Sequence, residues 1–186
     1  MSGHTKHHNI VFLENFFLPT PVFDLPPGHT YDLTQYKYTS ADELKERIKD
    51  ADILIINRIP LSREVLSEEH SPRLRTIAVV ASGTDSVDLE ACRRRGITVM
   101  NSPECNTTAV AEHALGLYFS VRRAIPLSHR LTQASEWTKR GLMLNSALHS
   151  PDGRAPLGCK DEVVGILGYG AVGRDCALLP FEIDHR

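Results

Sequence analysis

Over the first hundred positions the apolar residues gather in short runs, and most runs are followed by a polar stretch of helical character. Residues 9–14 (NIVFLE), 51–56 (ADILII), 76–80 (TIAVV) and 97–100 (ITVM) read as strands, with 36–38 (YKY) a brief extended piece. The run 76–80 is mostly β-branched and uncharged, the mark of a strand covered on both faces. Ser40-Ala41-Asp42-Glu43 is a capping box that opens a helix over 41–49: the Ser40 hydroxyl satisfies a helix N–H while Glu43 reaches back. A short helix is expected over 62–67, stopped near Ser71-Pro72. Another is expected over 88–95, capped by Asp85 or Ser86 and ended by Gly96. Strands alternating with helices imply an α/β protein with a parallel sheet and helices on both faces.

Residues 107–125 make the longest helical segment, ended by Pro126. One apolar stripe runs through Val110, Ala114, Leu117, Tyr118 and Val121, and a second through Ala111, Leu115 and Phe119. A helix apolar on more than one side should be buried between two domains or two subunits. Residues 128–156 read as a polar loop, with Trp137 an anchor and Pro151-Asp152-Gly153 a turn. An apolar strand over 159–167 then feeds a second domain, so the division falls between 1–106 and 107–186.

Composition changes this picture little. The chain has 186 residues, 41% hydrophobic and 24% charged, with a formal charge of −2, which argues against a nucleic-acid or membrane-surface footprint. Arg93-Arg94-Arg95 reads as the solvated last turn of a helix, where the dipole favours cations. Cys92, Cys105, Cys159 and Cys176 lack metal or redox spacing and read as free thiols of a reducing compartment, hence a cytoplasmic protein. No stretch reads as a signal peptide or as a membrane span of about 20 apolar residues. His4, His7 and His8 read as a frayed polar tail rather than a metal site, and no metal is expected.

The chemistry concentrates in Gly168-Tyr169-Gly170-Ala171-Val172-Gly173, which follows the apolar run 163–167 and opens a helix. In a Gly-x-Gly-x-x-Gly turn the first glycine allows a tight turn and the second lets backbone approach a pyrophosphate. The third lets helix and strand pack closely, and the helix N-terminus supplies the positive end. Three further stretches precede it: Ala81-Ser-Gly-Thr-Asp-Ser-Val-Asp-Leu89, Gly96-Ile-Thr-Val-Met-Asn-Ser-Pro103 and Cys105-Asn-Thr-Thr-Ala-Val-Ala-Glu-His113. In this order and spacing the four motifs closely resemble the D-isomer-specific 2-hydroxyacid dehydrogenases, a group that includes glycerate, phosphoglycerate and formate dehydrogenases. The resemblance covers roughly residues 50–175.

The resemblance implies a flavodoxin-like substrate domain followed by the first strand and helix start of an incomplete Rossmann domain. It implies hydride transfer between a small 2-hydroxy or 2-oxo acid and NAD, with NADP left open. Ser82 and Gly83 would offer backbone N–H groups to the substrate carboxylate, and the Asn106 amide would polarise the substrate without adding a titrating charge. Asn106 or Thr107 could equally cap the helix that begins there. Thr107 and Val110 would face the nicotinamide, and Gly168, Tyr169, Gly170, Ala171, Val172 and Gly173 the pyrophosphate. Many members carry Arg or Lys where Ala171 stands. Thr84, Asp85 and Asp88 read as turn and cap residues, and Glu112 and His113 as structural.

The family's acid/base histidine, its assisting glutamate and its carboxylate-binding arginine match no position of this chain. Pro180 would break the expected helix, and Asp184 comes too early to hold the ribose, an acidic position usually about 20 residues past the glycines. Residues 179–186 are expected to be a truncated or frame-shifted end. Two readings follow: part of such a dehydrogenase, inactive and without full cofactor affinity alone, or a non-catalytic binding fragment. The second would pair, as a homodimer or with a full-length homologue, through 107–125.

Overall fold

The computed structural model describes residues 5–136, 139, 149, 152–154 and 163–179. The chain divides into two compact units, Met1–Cys105 and Asn106–Arg186.

The first unit is a five-stranded sheet in the order β2-β1-β3-β4-β5, parallel at every pairing. Its strands are β1 (Lys6–Phe12), β2 (His29–Gln35), β3 (Ile53–Ile56), β4 (Thr76–Val79) and β5 (Thr98–Asn101). This is the flavodoxin-like order, in which the chain first adds a strand to one side of β1 and then three to the other. Period-two alternation sorts the strand residues onto two faces. Val11, Leu54, Ile56, Ile77 and Val79 join the larger cluster, together with Leu44 and Ile48 of α1 (Ala41–Ile48) and Ala91 and Cys92 of α2 (Leu89–Arg95). Ile10, Phe12 and Ile55 form the other cluster, against which Phe23 and partly buried Ile53, Ala78 and Val80 pack. Both helices therefore contribute to one face, where helices on both were expected. On the other face β4 is only partly covered.

Local signals decide the helix ends. The Glu43 carboxylate accepts from both the Ser40 N–H and its hydroxyl at 2.9 Å, the return half of the capping box. Gly96 ends α2 in the left-handed region at φ 67°, which costs a glycine no Cβ clash. The cap of α2 is Asp88, not Asp85 or Ser86: its carboxylate accepts from the Ala91 N–H at 2.8 Å. Residues 62–67 form successive turns instead of a helix, closed by Leu66 N–H to Ser62 O at 2.9 Å. His7 and His8 lie in β1 and not in a frayed tail; His8 Nε2 and His29 Nδ1 stand 2.9 Å apart. The expected piece at 36–38 is displaced to β2, whose sequence HTYDLTQ alternates half-buried and exposed as an edge strand does.

The second unit contains α3 (Thr107–Arg122), α4 (Ile125–Gln133) and α5 (Ala171–Leu178). Pro126 sits in the first turn of α4, where a proline loses no hydrogen bond, so it starts a helix as well as following one. Ala124, left-handed at φ 49°, makes the break, and the expected loop from 128 is helical as far as Gln133. α3 packs on α5, where the Thr108 hydroxyl donates to the Asp175 carboxylate at 3.2 Å. Only Ala111 of α3 is buried, whereas Leu117 and Val121 are 54% and 79% exposed, contrary to the expected burial on both stripes. Val163–Leu167 joins no ladder among the described residues, so the strand expected before the glycines is not formed there. Trp137, Pro151, Cys159, Pro180 and Asp184 lie outside the described residues.

Candidate active site

In a parallel sheet every strand ends at the same edge, and the loops leaving that edge are the natural place for a ligand. Ser82 and Gly83 stand in the loop after β4, both exposed. The neighbouring loop, after β5, is bound to it at several points. The Asn101 side-chain amide donates to the Ser82 carbonyl at 2.7 Å, and the Ser102 N–H donates to the Ala81 carbonyl at 3.0 Å. The Ser82 hydroxyl lies 3.4 Å from the Ser102 carbonyl oxygen and 3.9 Å from the Cys105 sulfur. A Cβ at Gly83 would approach the Asp85 carboxylate at 3.0 Å, so the glycine admits a close turn. Asn101 had no role in the sequence reading. The signal was present, since an amide at the last residue of a strand is placed to bridge two loops, but its partner is 19 residues away.

Two ionisable groups under this edge are structural. The Ala91 N–H holds the Asp88 carboxyl below its usual range, with Arg63 and Arg94 reinforcing. Burial pushes the Cys92 thiol up, and Asp88 adds to it, so Cys92 stays a protonated core residue. Cys105, beside Ser82, is exposed; Cys92, Cys105 and Cys176 are free thiols.

In the second unit Asn106 occupies the N-cap position of α3, yet its side chain makes no capping hydrogen bond. Thr107 opens the helix and Val110, 42% exposed, follows within its first turn. Glu112 and His113 are exposed positions one turn further on.

The glycine turn has the geometry its residues demand. Gly168 is left-handed at φ 95°, a conformation other L-residues rarely adopt. A Cβ on Gly173 would fall well inside van der Waals distance of the Gly168 carbonyl oxygen, so the third glycine is required by close packing. Gly170 differs from both. Its φ of −78° suits any residue and a Cβ there would meet nothing within 4 Å, so nothing among the described residues requires glycine at that position. Gly170 is the N-cap of α5 and brings no side chain to its end, which leaves the first N–H groups, from Ala171 and Val172, directed at the space before the helix. Tyr169 is exposed beside them. The turn suits the pyrophosphate of a dinucleotide: it ends at a helix N-terminus whose cap residue, a glycine, brings no side chain to it.

The sequence profile described as D-isomer specific 2-hydroxyacid dehydrogenase, catalytic domain, matches residues 11–171. The glycerate dehydrogenase of Methylorubrum extorquens is 32% identical over 170 residues, covering 90% of this chain and 51% of that protein. The D-3-phosphoglycerate dehydrogenase of Haemophilus influenzae is 35% identical over 144 residues, covering 77% of this chain and 32% of that protein. Among solved structures, the NADPH-dependent glyoxylate/hydroxypyruvate reductase of Sinorhizobium meliloti superposes with a TM-score of 0.64 at 20% identity, over 93% of this chain and 50% of that one. That likeness concerns the fold. The chain spans about half the length of the first relatives it matches, 51% for the glycerate dehydrogenase.

Proposed function

The chain belongs to the D-isomer specific 2-hydroxyacid dehydrogenase family, and from that membership we propose two binding roles for it. The Ser82–Gly83 loop binds the carboxylate of a small 2-hydroxy or 2-oxo acid, and the Gly168–Gly173 turn binds the pyrophosphate of a nicotinamide dinucleotide. The observation that carries the proposal is Gly170, a glycine that no described residue requires, at the mouth of a helix N-terminus. A missing Cβ at that point serves something that approaches from outside. Residues 1–106 then act as the substrate domain and 107–186 as the beginning of the nucleotide domain.

A bound nicotinamide would supply hydride chemistry at carbon 2 of the acid. The chain's own residues bind and orient. Ser82 and Gly83 donate N–H bonds to the carboxylate, and the Asn106 amide polarises the substrate oxygen without titrating. Thr107 and Val110 would face the nicotinamide, and Ala171 would leave the pyrophosphate to backbone donors where many members use a cation. NAD is the assigned cofactor, with NADP open. The free thiols support a cytoplasmic setting; no described helix is long and apolar enough to cross a membrane.

The test is a titration of isotopically labelled chain with oxamate, a stable 2-oxo-acid mimic, and separately with NADH. Shifts at the amides of Ser82 and Gly83 with the first, and at those of Gly168–Gly173 with the second, are expected. Shifts elsewhere only would overturn the assignment. Turnover of glyoxylate with NADH by this chain alone is not expected, because the family's acid/base histidine matches none of its residues. Turnover abolished by Asn106→Ala would show otherwise.

One observation favours a partner as well. Leu117 and Val121 line an apolar surface on α3 with Ala114 and Tyr118. Pairing with a second copy or a full-length homologue would cover it, and sedimentation of the chain as a dimer that Val121→Asp dissociates is the expected result.

A further inference from the structure

The strand order places the topological switch point between β1 and β3, where the chain after β1 departs to one side and the chain after β3 to the other. Such a point ordinarily opens a crevice at the sheet's carboxyl edge. Here one side chain spans it. Oε2 of Glu14, just past β1, accepts three backbone N–H groups after β3: Asn57 at 3.0 Å, Arg58 at 2.7 Å and Ile59 at 3.0 Å. Consecutive N–H groups converging on one oxygen form an anion nest, and charge-assisted bonds of this kind are about twice as strong as neutral ones.

The segment that Glu14 holds runs alongside the loop that carries Ser82 and Gly83. Val80 N–H donates to the Ile56 carbonyl at 2.7 Å where the two loops begin. Further on, Leu61 N–H donates to the Ser86 carbonyl at 2.7 Å, Asp88 N–H to the Leu61 carbonyl at 3.0 Å, and Leu61 forms a parallel bridge with Val87. The 80–88 loop is thus fastened at both ends to the stretch 56–61, and that stretch is fastened in turn by Glu14. Without the carboxylate, three N–H groups at the switch point lose their acceptor and the stretch can rearrange.

We propose that Glu14 is a positioning residue for the carboxylate site: by filling the nest at Asn57–Ile59 it holds the 56–61 segment in the arrangement that presents the Ser82–Gly83 N–H groups. The inference rests on the reading of Ser82–Gly83 as the carboxylate site. Because a single oxygen takes all three bonds, a neutral amide of the same length keeps the geometry, whereas a methyl removes it.

The experiment is oxamate binding by the full chain, followed at the Ser82 and Gly83 amides, in wild type, Glu14→Gln and Glu14→Ala, with amide exchange at Asn57, Arg58 and Ile59 measured alongside. If the competent arrangement falls to about a tenth of the population, the apparent Kd rises about tenfold. Expected, therefore, are a Kd raised about tenfold in Glu14→Ala, accelerated exchange at the three amides, and values between wild type and Glu14→Ala for both in Glu14→Gln, whose neutral oxygen keeps the geometry with weaker bonds. Retention of the β3 and β4 amide shifts in Glu14→Ala separates repositioning from unfolding. Equal oxamate affinity in wild type and Glu14→Ala would overturn the inference while leaving the carboxylate site standing. Failure of wild type to bind oxamate at Ser82–Gly83 would overturn both, and unchanged exchange at Asn57–Ile59 in Glu14→Ala would overturn the inference whatever the ligand does.

Discussion

Two regions of this chain carry comparable apolar runs, and among the described residues only one turns them into a core. In the first unit Leu54, Ile56 and Ile77 are fully buried, because each strand has a neighbour on at least one side and two helices above. In the second, Val163 and Leu167 are 100% and 103% exposed, and Ala111 is the one buried hydrophobic residue among those described. The letters differ little: ILII in one case and VVGIL in the other. A strand is a relation between segments, so an apolar run becomes one only where another strand satisfies its N–H and C=O groups. The family profile matches both regions, so membership of a lineage and possession of a closed core are separate properties of a sequence.

The largest expected effect is in hydrogen exchange. Amides of β3 and β4 should open only with global unfolding, typically about 5–15 kcal/mol, while those of Val163–Leu167 should exchange at nearly unprotected rates. Protection of the second set to within about tenfold of the first would break the comparison, by showing a ladder that the fold does not display. Next in size are truncations. Leu54→Ala, at a site with no exposed surface, should cost about 2–5 kcal/mol in chemical denaturation. Val121→Ala should change monomer stability by no more than about 0.5 kcal/mol. A larger loss there, dependent on protein concentration, would mean that α3 is covered by a second copy.

A finer contrast lies inside the glycine turn. Gly173→Ala forces a Cβ against the Gly168 carbonyl and should cost about 1–3 kcal/mol of local stability, as overpacking does. Gly170→Ala should leave the thermal midpoint of the chain unchanged and weaken NADH binding selectively. If Gly170→Ala leaves NADH-induced shifts intact, the argument that this glycine serves an incoming phosphate is lost.

These contrasts also mark how far the sequence could be read. α1 was legible because a capping box is complete within four residues, and the end of α2 because Gly96 takes a conformation few residues tolerate. β3 and β4 were legible from uncharged β-branched runs. β2 was misplaced because an edge strand half in water has a muted alternation, here HTYDLTQ, that resembles a polar loop. Pro126 is ambiguous in principle, since a proline both ends one helix and starts the next, and the deciding left-handed residue is an alanine. At the site, the glycines and Ser82–Gly83 stand out locally. Asn101 and Glu14 do not, because their roles depend on partners brought near by the sheet.

The smallest expected effect concerns the edge of the well-packed unit. His8 sits in β1 with its ring stacked on His29 of β2 at 5.1 Å between centroids, and a single ring hydrogen bond joins them. That bond requires a proton on one nitrogen and none on the other, so it survives only while at least one ring is neutral. Burial holds His8 below its ordinary value of 6.5; His29, Lys6 and His7 push the same way, and Asp52 opposes them. A histidine depressed in the folded state binds its proton more readily when unfolded. Its neutral form thus costs the fold nothing above pH 6.5, and stability declines as pH falls below that value toward the folded pKa. His8→Asn should flatten this part of the dependence, read as the thermal midpoint at steps between about pH 5 and 7. The loss should also be local, appearing as faster amide exchange in β2 at low pH while β3 and β4 keep their protection. A uniform acceleration across all five strands would mean that the edge and the core open together, and that the first unit is less finely graded than its burial implies.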